Sequence, residues 1–318
     1  MTTTISVVIP TYNSAWVIRE TLASVLKQRR LPSEVIVVDD ASKDNTCAIV
    51  EMIAQTAPCP IRLIRMSKNS GGPVRGMNVG VESATSNTFT ILDHDDLLAP
   101  HAIEEYHSAW EQLDQATFGI VTSDFLMFDS TGVTCPSLFA RQGVLTGLFA
   151  EVAGGAPLVI SAAQARDLTC RKFCLPMKGA IARSAWKNCG GFDERFRSAW
   201  DNDFTWRLAS RYSFAVINQP LVQIRLHKEN LSHVLEVVGP EILHVYRHMR
   251  RDVQDSTLRD LLLQKINNEL FDMAYYHRGR AKYLRAAWYY VQLLMNKLGR
   301  VTRANAMPTN KERAIGVR

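Results

Sequence analysis

The sequence lacks the cysteine pattern of a disulfide-stabilised protein. Its 318 residues include six cysteines, and no two of them form a C-x-x-C pair. In a chain of this length, such scattered cysteines are typical of free thiols in a reducing compartment. The sequence also opens without a basic segment followed by an apolar stretch and a cleavage site, so we expect no secretion signal. Both absences predict a cytoplasmic protein.

Two nucleotide-binding patterns and a membrane span are also missing. The segment KNSGGPVRGMNVG has neither the spacing of G-x-G-x-x-G nor that of a P-loop, which argues against a dinucleotide cofactor and against an NTPase. The most apolar run, residues 143–165, contains Glu151, Pro157 and four glycines. These residues make a poor bilayer helix, so we expect this run to form a loop and a helix that cover a cleft.

Acidic residues are scarce near the C-terminus. The net charge of the chain is +6, but residues 277–318 hold ten Lys or Arg and one Glu, so the preceding part has a net charge of −3. This distribution of charge predicts that residues 277–318, rather than the whole protein, bind an anionic partner. Because no aromatic and basic recognition motif accompanies the tail, we do not expect a nucleic-acid partner.

Apolar runs and amphipathic segments alternate through the first 130 residues. Short β-prone runs at residues 5–9, 34–38, 61–64 and 89–92 are separated by segments with helical periodicity. This alternation predicts an α/β fold with a mostly parallel, doubly wound central sheet flanked by helices.

Two domains are expected. Residues 1–235 carry the α/β pattern and divide into halves at 1–125 and 126–235, whereas the sequence after Pro240 has helical periodicity. We therefore predict a helical, basic C-terminal extension at 236–318.

Polar residues directly follow three of the apolar runs. Pro10-Thr11-Tyr12-Asn13 follows the first run, Asp39-Asp40 follows the second, and Asp93-His94-Asp95-Asp96 follows the fourth. Ligands on parallel sheets bind beyond the carboxyl ends of the strands, so we expect these three motifs to converge on one rim.

Asp93 and Asp95 form a D-x-D pattern. Because they lie two apart after a strand, we expect their side chains to share a face and approach one cation, with Asp96 pointing elsewhere. Mg²⁺ and Mn²⁺ commonly bind one or two carboxylates together with substrate phosphates. The alternative is that these aspartates form a solvated turn or cap a helix. Asp39 and Asp40 have a similar alternative as turn residues.

Six segments occur in the order and approximate spacing of the family 2 glycosyltransferases, namely VVIPTYN, VDDASKDNT, SGGPVRGMNVG, LDHDDLL, GGFDERF and WDNDF. Residues 4–232 resemble that family. The resemblance implies a GT-A fold, a nucleotide-sugar donor that is usually a UDP-sugar, and a divalent metal cofactor, Mn²⁺ or Mg²⁺. It also implies inversion of configuration at the anomeric carbon.

The same resemblance implies roles in nucleotide-sugar binding for five residues. Pro10, Thr11 and Tyr12 match the loop that contacts the nucleoside. Asp40 matches the acid that binds the base, and Arg75 matches a position near the uracil or the diphosphate.

Metal binding is implied for the D-x-D. Asp93 and Asp95 match the two acids of this motif, and Asp95 is the more direct metal ligand in the family. His227 matches a histidine that approaches the metal or the diphosphate. The alternative for His227 is a structural or solvated side chain, and Arg225 is a further candidate for contacting the diphosphate.

The general base is implied by a motif that this chain has altered. The family carries a Glu-Asp pair followed by x-Asp, whereas this chain reads Trp200-Asp201-Asn202-Asp203. Asp201 is therefore the predicted catalytic base, and Trp200 replaces the glutamate. Trp200 is a candidate for stacking on a sugar ring of the acceptor, and packing into the core is the alternative and the commoner fate of a tryptophan.

The basic tail contains an amphipathic segment at residues 281–299. One helical face collects its apolar residues, namely Leu284, Ala287, Trp288, Val291, Leu294, Met295 and Leu298. Flanking arginines and aromatic residues suit an anionic membrane surface, reached through residues 277–300. The alternative is packing on the catalytic domain or in a homodimer.

These observations predict a metal-dependent inverting glycosyltransferase. It would transfer a sugar from a nucleotide diphosphate sugar to a hydroxyl of a glycan or lipid-linked acceptor, in surface polysaccharide or glycoconjugate biosynthesis. Its expected location is the cytoplasm, with a peripheral position at the inner face of the membrane. The alternatives are a phosphohydrolase that uses its D-x-D, and a carbohydrate-binding protein of the same fold that has lost catalysis.

Overall fold

The computed structural model describes residues 3–143, 145–149, 152, 156–172, 175–228, 230 and 234–297. The chain divides into two compact units. Unit 1 comprises Met1–Asp193 and Phe204–Lys228, and unit 2 comprises Glu194–Asp203 and Glu229–Arg318.

The first part of unit 1 alternates strands and helices as the sequence predicts. Its elements are β1 (Ile5–Thr11), α1 (Ile18–Leu26), β2 (Glu34–Asp39), α2 (Thr46–Ala54), β3 (Ile61–Arg65), α3 (Pro73–Ser83), β4 (Thr88–Ile91), β5 (Leu97–Leu98) and α4 (Ala102–Trp110).

The remainder of unit 1 is more irregular. Its elements are β6 (Phe118–Asp129), β7 (Gly132–Cys135), α5 (Leu138–Gln142), α6 (Thr146–Phe149), β8 (Leu158–Ile160), α7 (Ala162–Lys172), β9 (Gly179–Ala182), α8 (Arg183–Asn188) and β10 (Ser213–Arg225). Helix α9 (Trp200–Ala209) begins in the segment assigned to unit 2.

The described strands form one ten-stranded sheet with the order β3-β2-β1-β4-β9-β6-β10-β5, to which β7 adds on β6 and β8 on β10. The first four strands in this order are parallel neighbours, and this confirms the predicted α/β class with a large sheet flanked by helices. Strand β9 runs antiparallel to both β4 and β6, so the second half of the sheet is mixed.

Strands β1 and β2 form the centre of the core. Every residue of both strands is buried, which explains why they read as continuous apolar runs in the sequence. Helix α3 packs closely over them because Gly80 has no side chain. A Cβ atom added at Gly80 would lie 2.3 Å from Cγ1 of Val8.

The apolar run at 143–165 includes a strand that the sequence did not predict. Strand β8 pairs antiparallel with β10, and α7 follows it. Residues 144, 150, 151 and 153–155 of this run lie outside the described residues.

Unit 2 contains the helices α10 (Leu235–Asp252), α11 (Ser256–Gly279) and α12 (Tyr283–Lys297). Their shared core consists of Leu243, Ile266, Leu270, Met273, Ala274 and Tyr289. The carboxylate of Asp255 caps α11 by accepting a 2.8 Å hydrogen bond from the Leu258 N–H. The rest of the predicted extension, residues 298–318, lies outside the described part of the chain.

Among the residues described, no helix is both long and apolar enough to cross a bilayer.

Candidate functional site

The loops that follow β1 and β2 are joined by hydrogen bonds at the carboxyl end of the sheet. Thr11 pairs with Asp39 in the parallel register, and the Asp40 N–H donates to the Thr11 carbonyl at 2.8 Å. The Asn13 N–H donates to Ser42 Oγ at 2.8 Å. Two of the expected motifs therefore meet at one rim of unit 1, as parallel strand ends must.

The predicted nucleoside loop begins later than its sequence indicates. Strand β1 continues through Pro10 and Thr11, and both residues are buried. The Thr11 hydroxyl has no hydrogen-bond partner among the described residues. Tyr12 is 40% exposed, so it is the member of this loop that a ligand can reach. The binding roles of Pro10, Thr11 and Tyr12 stay predictions.

Asp39 and Asp40 differ in what they contact. The Asp39 carboxylate accepts a hydrogen bond from the Ser42 N–H at 3.0 Å, which is the turn-forming alternative. The Asp40 carboxylate instead accepts from the Ser70 N–H at 2.9 Å and from the Ser70 hydroxyl at 2.9 Å. It thereby links the end of β2 to the loop before α3.

Two opposing effects determine the pKa of the Asp40 carboxyl. Burial raises the pKa of its carboxyl above the ordinary value, while the Ser70 hydrogen bonds and the charge of Arg75 lower it. Burial prevails, so the pKa of Asp40 is raised. Arg75 is exposed in the first turn of α3, where its guanidinium acts on this carboxylate.

The four-residue motif after β4 is a turn rather than a strand. The Asp96 N–H donates to the Asp93 carbonyl at 3.1 Å. Helix α4 begins only at Ala102, with His101 as its N-cap, so these aspartates do not cap it. The Thr21 hydroxyl of α1 donates to the His94 carbonyl at 2.7 Å and anchors the turn.

The pairing of the acids differs from the one expected. Lys178 Nζ lies 2.6 Å from Oδ2 of Asp93 and 3.0 Å from Oδ2 of Asp96. Asp95 Oδ2 lies 2.7 Å from Nε2 of His227 instead. Asp93 therefore shares a partner with Asp96 rather than with Asp95, because the period of two that applies within a strand ends with β4 and does not apply in this turn. The predicted roles of Asp93 and Asp95 in binding the donor and the metal stay predictions.

Lys178 also sets the ionisation of the two acids it contacts. Burial alone would raise the pKa of Asp93, but the charge of Lys178 outweighs it and holds this pKa below its ordinary value. For Asp96, burial outweighs Lys178 and, with the charges of Asp93 and Asp95, raises the pKa to about 7. The pKa of Lys178 is raised: burial lowers it, but the two carboxylates more than compensate.

The end of β10 is fixed to the same turn. The Arg225 N–H donates to Oδ1 of Asp96 at 3.1 Å, and Arg225 Nε donates to the Asp95 carbonyl at 3.0 Å. The guanidinium also lies 2.6 Å from the carboxylate of Glu20. These contacts place His227, two residues further along, against Asp95.

Trp16 lies over the Asp95 and His227 pair. Its ring meets the imidazole of His227 edge-on, with 5.3 Å between ring centroids, and the side chain is 53% exposed. Neither Trp16 nor Lys178 was predicted from the sequence. Trp16 lies just after the Pro10-Thr11-Tyr12-Asn13 motif but is not part of it, and Lys178 reaches the turn from a segment without other candidate residues.

The side chains of Asp95 and His227 are candidate ligands for a divalent cation. No group of three or more His, Cys, Asp or Glu side chains with metal-binding geometry occurs within the described ranges. Two protein ligands suffice for a hard cation that takes its other ligands from a diphosphate and water. The donor set therefore fits a cation that binds together with a nucleotide.

The segment that carries the predicted base belongs to unit 2. Asp201 Oδ1 accepts a 2.8 Å hydrogen bond from the Asn202 N–H in the first turn of α9. Trp200 is 8% exposed, which favours the packing alternative over stacking on an acceptor. Their predicted roles as base and acceptor contact are untested.

Helix α10 holds the residues immediately before α9. The carboxylate of Glu241, which is fully buried, accepts hydrogen bonds from three consecutive backbone N–H groups. The donors are Arg197 at 3.0 Å, Ser198 at 2.9 Å and Ala199 at 3.0 Å. One turn further along α10, His244 packs edge-on against Phe196 with 5.8 Å between ring centroids.

Residues 6–134 match the model of Glycosyl transferase family 2. The chain carries a family 2 glycosyltransferase domain. The predicted family and enzyme class are thereby confirmed. The matched residues include the strand ends that carry Thr11, Asp40 and Asp95.

Two bacterial relatives extend the similarity beyond this domain. The chain is 29% identical over 208 residues to the glycosyltransferase YwdF of Bacillus subtilis (strain 168), which covers 65% of this chain and 69% of the relative. It is 25% identical over 290 residues to a glycosyltransferase of Haemophilus influenzae, which covers 88% of both chains.

Solved structures show the fold. The chain is similar to residues 1–349 of S. aureus TarS in complex with UDP-GlcNAc, with a TM-score of 0.67 and 19% identity over 94% of this chain and 84% of TarS 1–349. It is also similar to the mannosyltransferase PcManGT from Pyrobaculum calidifontis in complex with GDP-Man and Mn²⁺. That match has a TM-score of 0.57 and 20% identity over 98% of this chain and 79% of the other. Both matches support the predicted GT-A fold.

Proposed function

We propose that this protein transfers a sugar from a nucleotide diphosphate sugar to an acceptor hydroxyl, with inversion at the anomeric carbon and with a divalent cation. The observation that carries the proposal is the 2.7 Å approach of His227 Nε2 to Asp95 Oδ2. This pair follows β4, which lies beside β1 and β2 in the parallel part of the sheet. The end of β2 carries Asp40.

The nucleoside is proposed to bind at Tyr12 and Asp40. The exposed ring of Tyr12 offers a face on which a base can stack. The Asp40 carboxylate can accept a hydrogen bond from the imide N–H of uracil, and we propose a UDP-sugar as the donor on this ground. Arg75, whose charge acts on Asp40, is proposed to contact the diphosphate.

Asp95 and His227 are proposed to hold the cation. A donor set that mixes a carboxylate oxygen with an imidazole nitrogen favours Mn²⁺, because Mg²⁺ prefers oxygen ligands alone. When bound, the cation stabilises the negative charge that develops on the diphosphate leaving group. The mannosyltransferase that resembles this chain was solved with Mn²⁺.

Asp201 is proposed as the general base. The acceptor oxygen forms its bond to the anomeric carbon while the bond from that carbon to the diphosphate oxygen breaks. The hydroxyl proton passes to the Asp201 carboxylate, which makes the oxygen a better nucleophile. A single displacement of this kind inverts the configuration.

The proposed acceptor is a glycan or a lipid-linked sugar in surface polysaccharide or glycoconjugate biosynthesis, and the proposed location is the cytoplasm. The family resemblance supports the acceptor, and the scattered cysteines of the sequence support the location. A phosphohydrolase is a weaker hypothesis, because Asp93, which would serve as its nucleophile, is paired with the Lys178 ammonium.

Calorimetric titration with UDP and GDP, with and without Mn²⁺, tests the donor site. We expect Mn²⁺ to tighten UDP binding to the natural protein. In Asp95→Asn, the increase in UDP affinity that Mn²⁺ causes should be about tenfold to a hundredfold smaller. The matched control is Glu51→Gln on α2, where the exposed carboxylate pairs with the exposed Arg65. An unchanged Mn²⁺ effect in Asp95→Asn would overturn the cation site, and tighter binding of GDP would overturn the assignment of uridine.

The base is tested separately with the same protein. Asp201→Asn should bind UDP with unchanged affinity but release UDP from its sugar nucleotide about 10²- to 10⁴-fold more slowly. Normal turnover in this variant would end the assignment of Asp201.

A further inference from the structure

Helix α12 exposes the face that its sequence makes apolar. Leu284 is 90% exposed, Leu294 58%, Val291 55% and Trp288 44%. These four side chains lie on one side of the helix and are called here the α12 stripe. Large apolar side chains grouped on a surface in this way mark an interaction site.

The opposite face of α12 already attaches the helix to unit 2. Ala286 and Tyr289 are buried, and Tyr289 belongs to the core shared with α10 and α11. The ring of Tyr289 stacks on His277 with 5.5 Å between centroids. Gln292, also buried, accepts a 2.6 Å hydrogen bond from Arg247. The α12 stripe is therefore not needed to hold the helix in place.

The charged side chains of α12 and of the turn before it have one sign. Residues 277–297 contain five Lys or Arg and no Asp or Glu. Four of these basic residues, Arg278, Arg280, Lys282 and Arg285, are exposed around the turn between α11 and α12. Glu236 of α10 pairs with Lys282 and offsets part of this positive charge. The surface thus joins exposed apolar side chains to an excess of positive charge.

We propose that the α12 stripe and the neighbouring basic residues bind the surface of an anionic phospholipid bilayer. The helix lies in the interface, with Leu284, Trp288 and Val291 among the upper acyl chains. The exposed guanidinium and ammonium groups lie at the phosphate level. Tryptophan suits this depth because its ring is apolar and its N–H is polar.

The charge of this surface favours an anionic bilayer over a second copy of the chain as its partner. In a symmetric dimer formed through the α12 stripe, each copy would present residues 277–297 to the same segment of its partner. Since that segment holds basic residues and no acid, the contact would bring like charges together. An anionic bilayer compensates this charge instead.

Vesicle flotation tests the proposal with the full chain and needs no sugar nucleotide. The probes are vesicles of phosphatidylcholine with 30% phosphatidylglycerol, about the anionic share that gives a strong surface potential, and vesicles of phosphatidylcholine alone. We expect binding to the anionic vesicles that weakens with added salt. The triple variant Leu284→Ser, Trp288→Ser, Val291→Ser should lose it, and Arg285→Gln should weaken it about fivefold.

Val159→Ser, which replaces an apolar side chain that is 53% exposed in unit 1, is the matched control and should bind as the natural protein does. Circular dichroism and UDP binding show whether each variant remains folded. Equal flotation of the triple variant and the natural protein would overturn the proposal. So would light scattering that shows a dimer dissociated by the triple substitution without any vesicle binding. Flotation lost only when residues 298–318 are removed would assign binding to that segment and also overturn it.

Discussion

The ammonium nitrogen of Lys178 lies 2.6 Å from a carboxylate oxygen of Asp93. This contact ties the residue before β9 to the turn after β4, so a largely buried lysine neutralises part of the acidic rim. Asp95 contacts His227 rather than Lys178, and this pair is the one proposed to bind the cation.

Replacing Lys178 with methionine should destabilise unit 1. Asp93 and Asp96 would lose their shared partner, and a carboxylate left unpaired in a largely buried site costs about 2–4 kcal/mol of the free energy of unfolding. Urea denaturation measures the difference. Lys178→Arg, which keeps the charge, should recover most of the loss. A methionine variant as stable as the natural protein would show that the ion pair contributes nothing.

Substitution of Glu241 should slow turnover without weakening donor binding, if Asp201 is the base. In Glu241→Gln the amide nitrogen cannot accept a hydrogen bond, so at least one N–H of the segment 197–199 loses its partner. That loss costs about 1–3 kcal/mol of stability and lets the start of α9 shift. Steady-state kinetics should show a lower kcat with an unchanged KM for the sugar nucleotide.

The control for this variant is Glu236→Gln, also on α10, where the carboxylate is partly exposed and pairs with Lys282. It should leave kcat unchanged. If Glu241→Gln loses stability but keeps its full kcat, the carboxylate supports the fold alone and does not position the base.

Glu269 should make unit 2 less stable as the pH rises. Burial, with a smaller contribution from Asp272, raises the pKa of Glu269 to about 7, above its ordinary value of 4.5. The folded state therefore favours the protonated form, and its advantage is present below pH 4.5 and lost as the pH rises through 7. Glu269→Gln should remove this penalty and raise the stability at pH 8 by about 1–2 kcal/mol.

Thermal unfolding at pH 8 and pH 4.5 would show this difference, with Asp260→Asn on the exposed side of the same helix as the control. A gain of equal size at both pH values would point to packing rather than to ionisation.

The sequence predicted the parallel half of the sheet because three of its four strands, β1, β2 and β4, are buried on both faces. Such strands read as unbroken apolar runs, and polar residues mark their ends, so Asp40 and Asp95 could be assigned to one rim. Strand β9 could not be placed in the same way. Its position between β4 and β6 depends on pairing with residues about 60 and 90 positions earlier, which no local pattern records.

The partners of the side chains at the rim could not be predicted from local sequence patterns for a similar reason. The period of two that applies within a strand does not apply in the turn at Asp93, and Lys178 enters from a distant segment. For α12, periodicity identified the apolar face correctly. It could not reveal that Tyr289 and Ala286 attach the helix through the other side, because this depends on the complementary surface of α11.

The absence of a side chain at Gly80 fixes how far α3 stands from the sheet. A methyl group there would collide with Val8 and push the helix outward, and its first turn carries Arg75. Gly80 lies five residues beyond Arg75 on the same helix, so the distance between Arg75 and Asp40 depends on the absence of a side chain at Gly80. We expect substitution of Gly80 by a larger residue to weaken nucleotide binding in a protein that still folds.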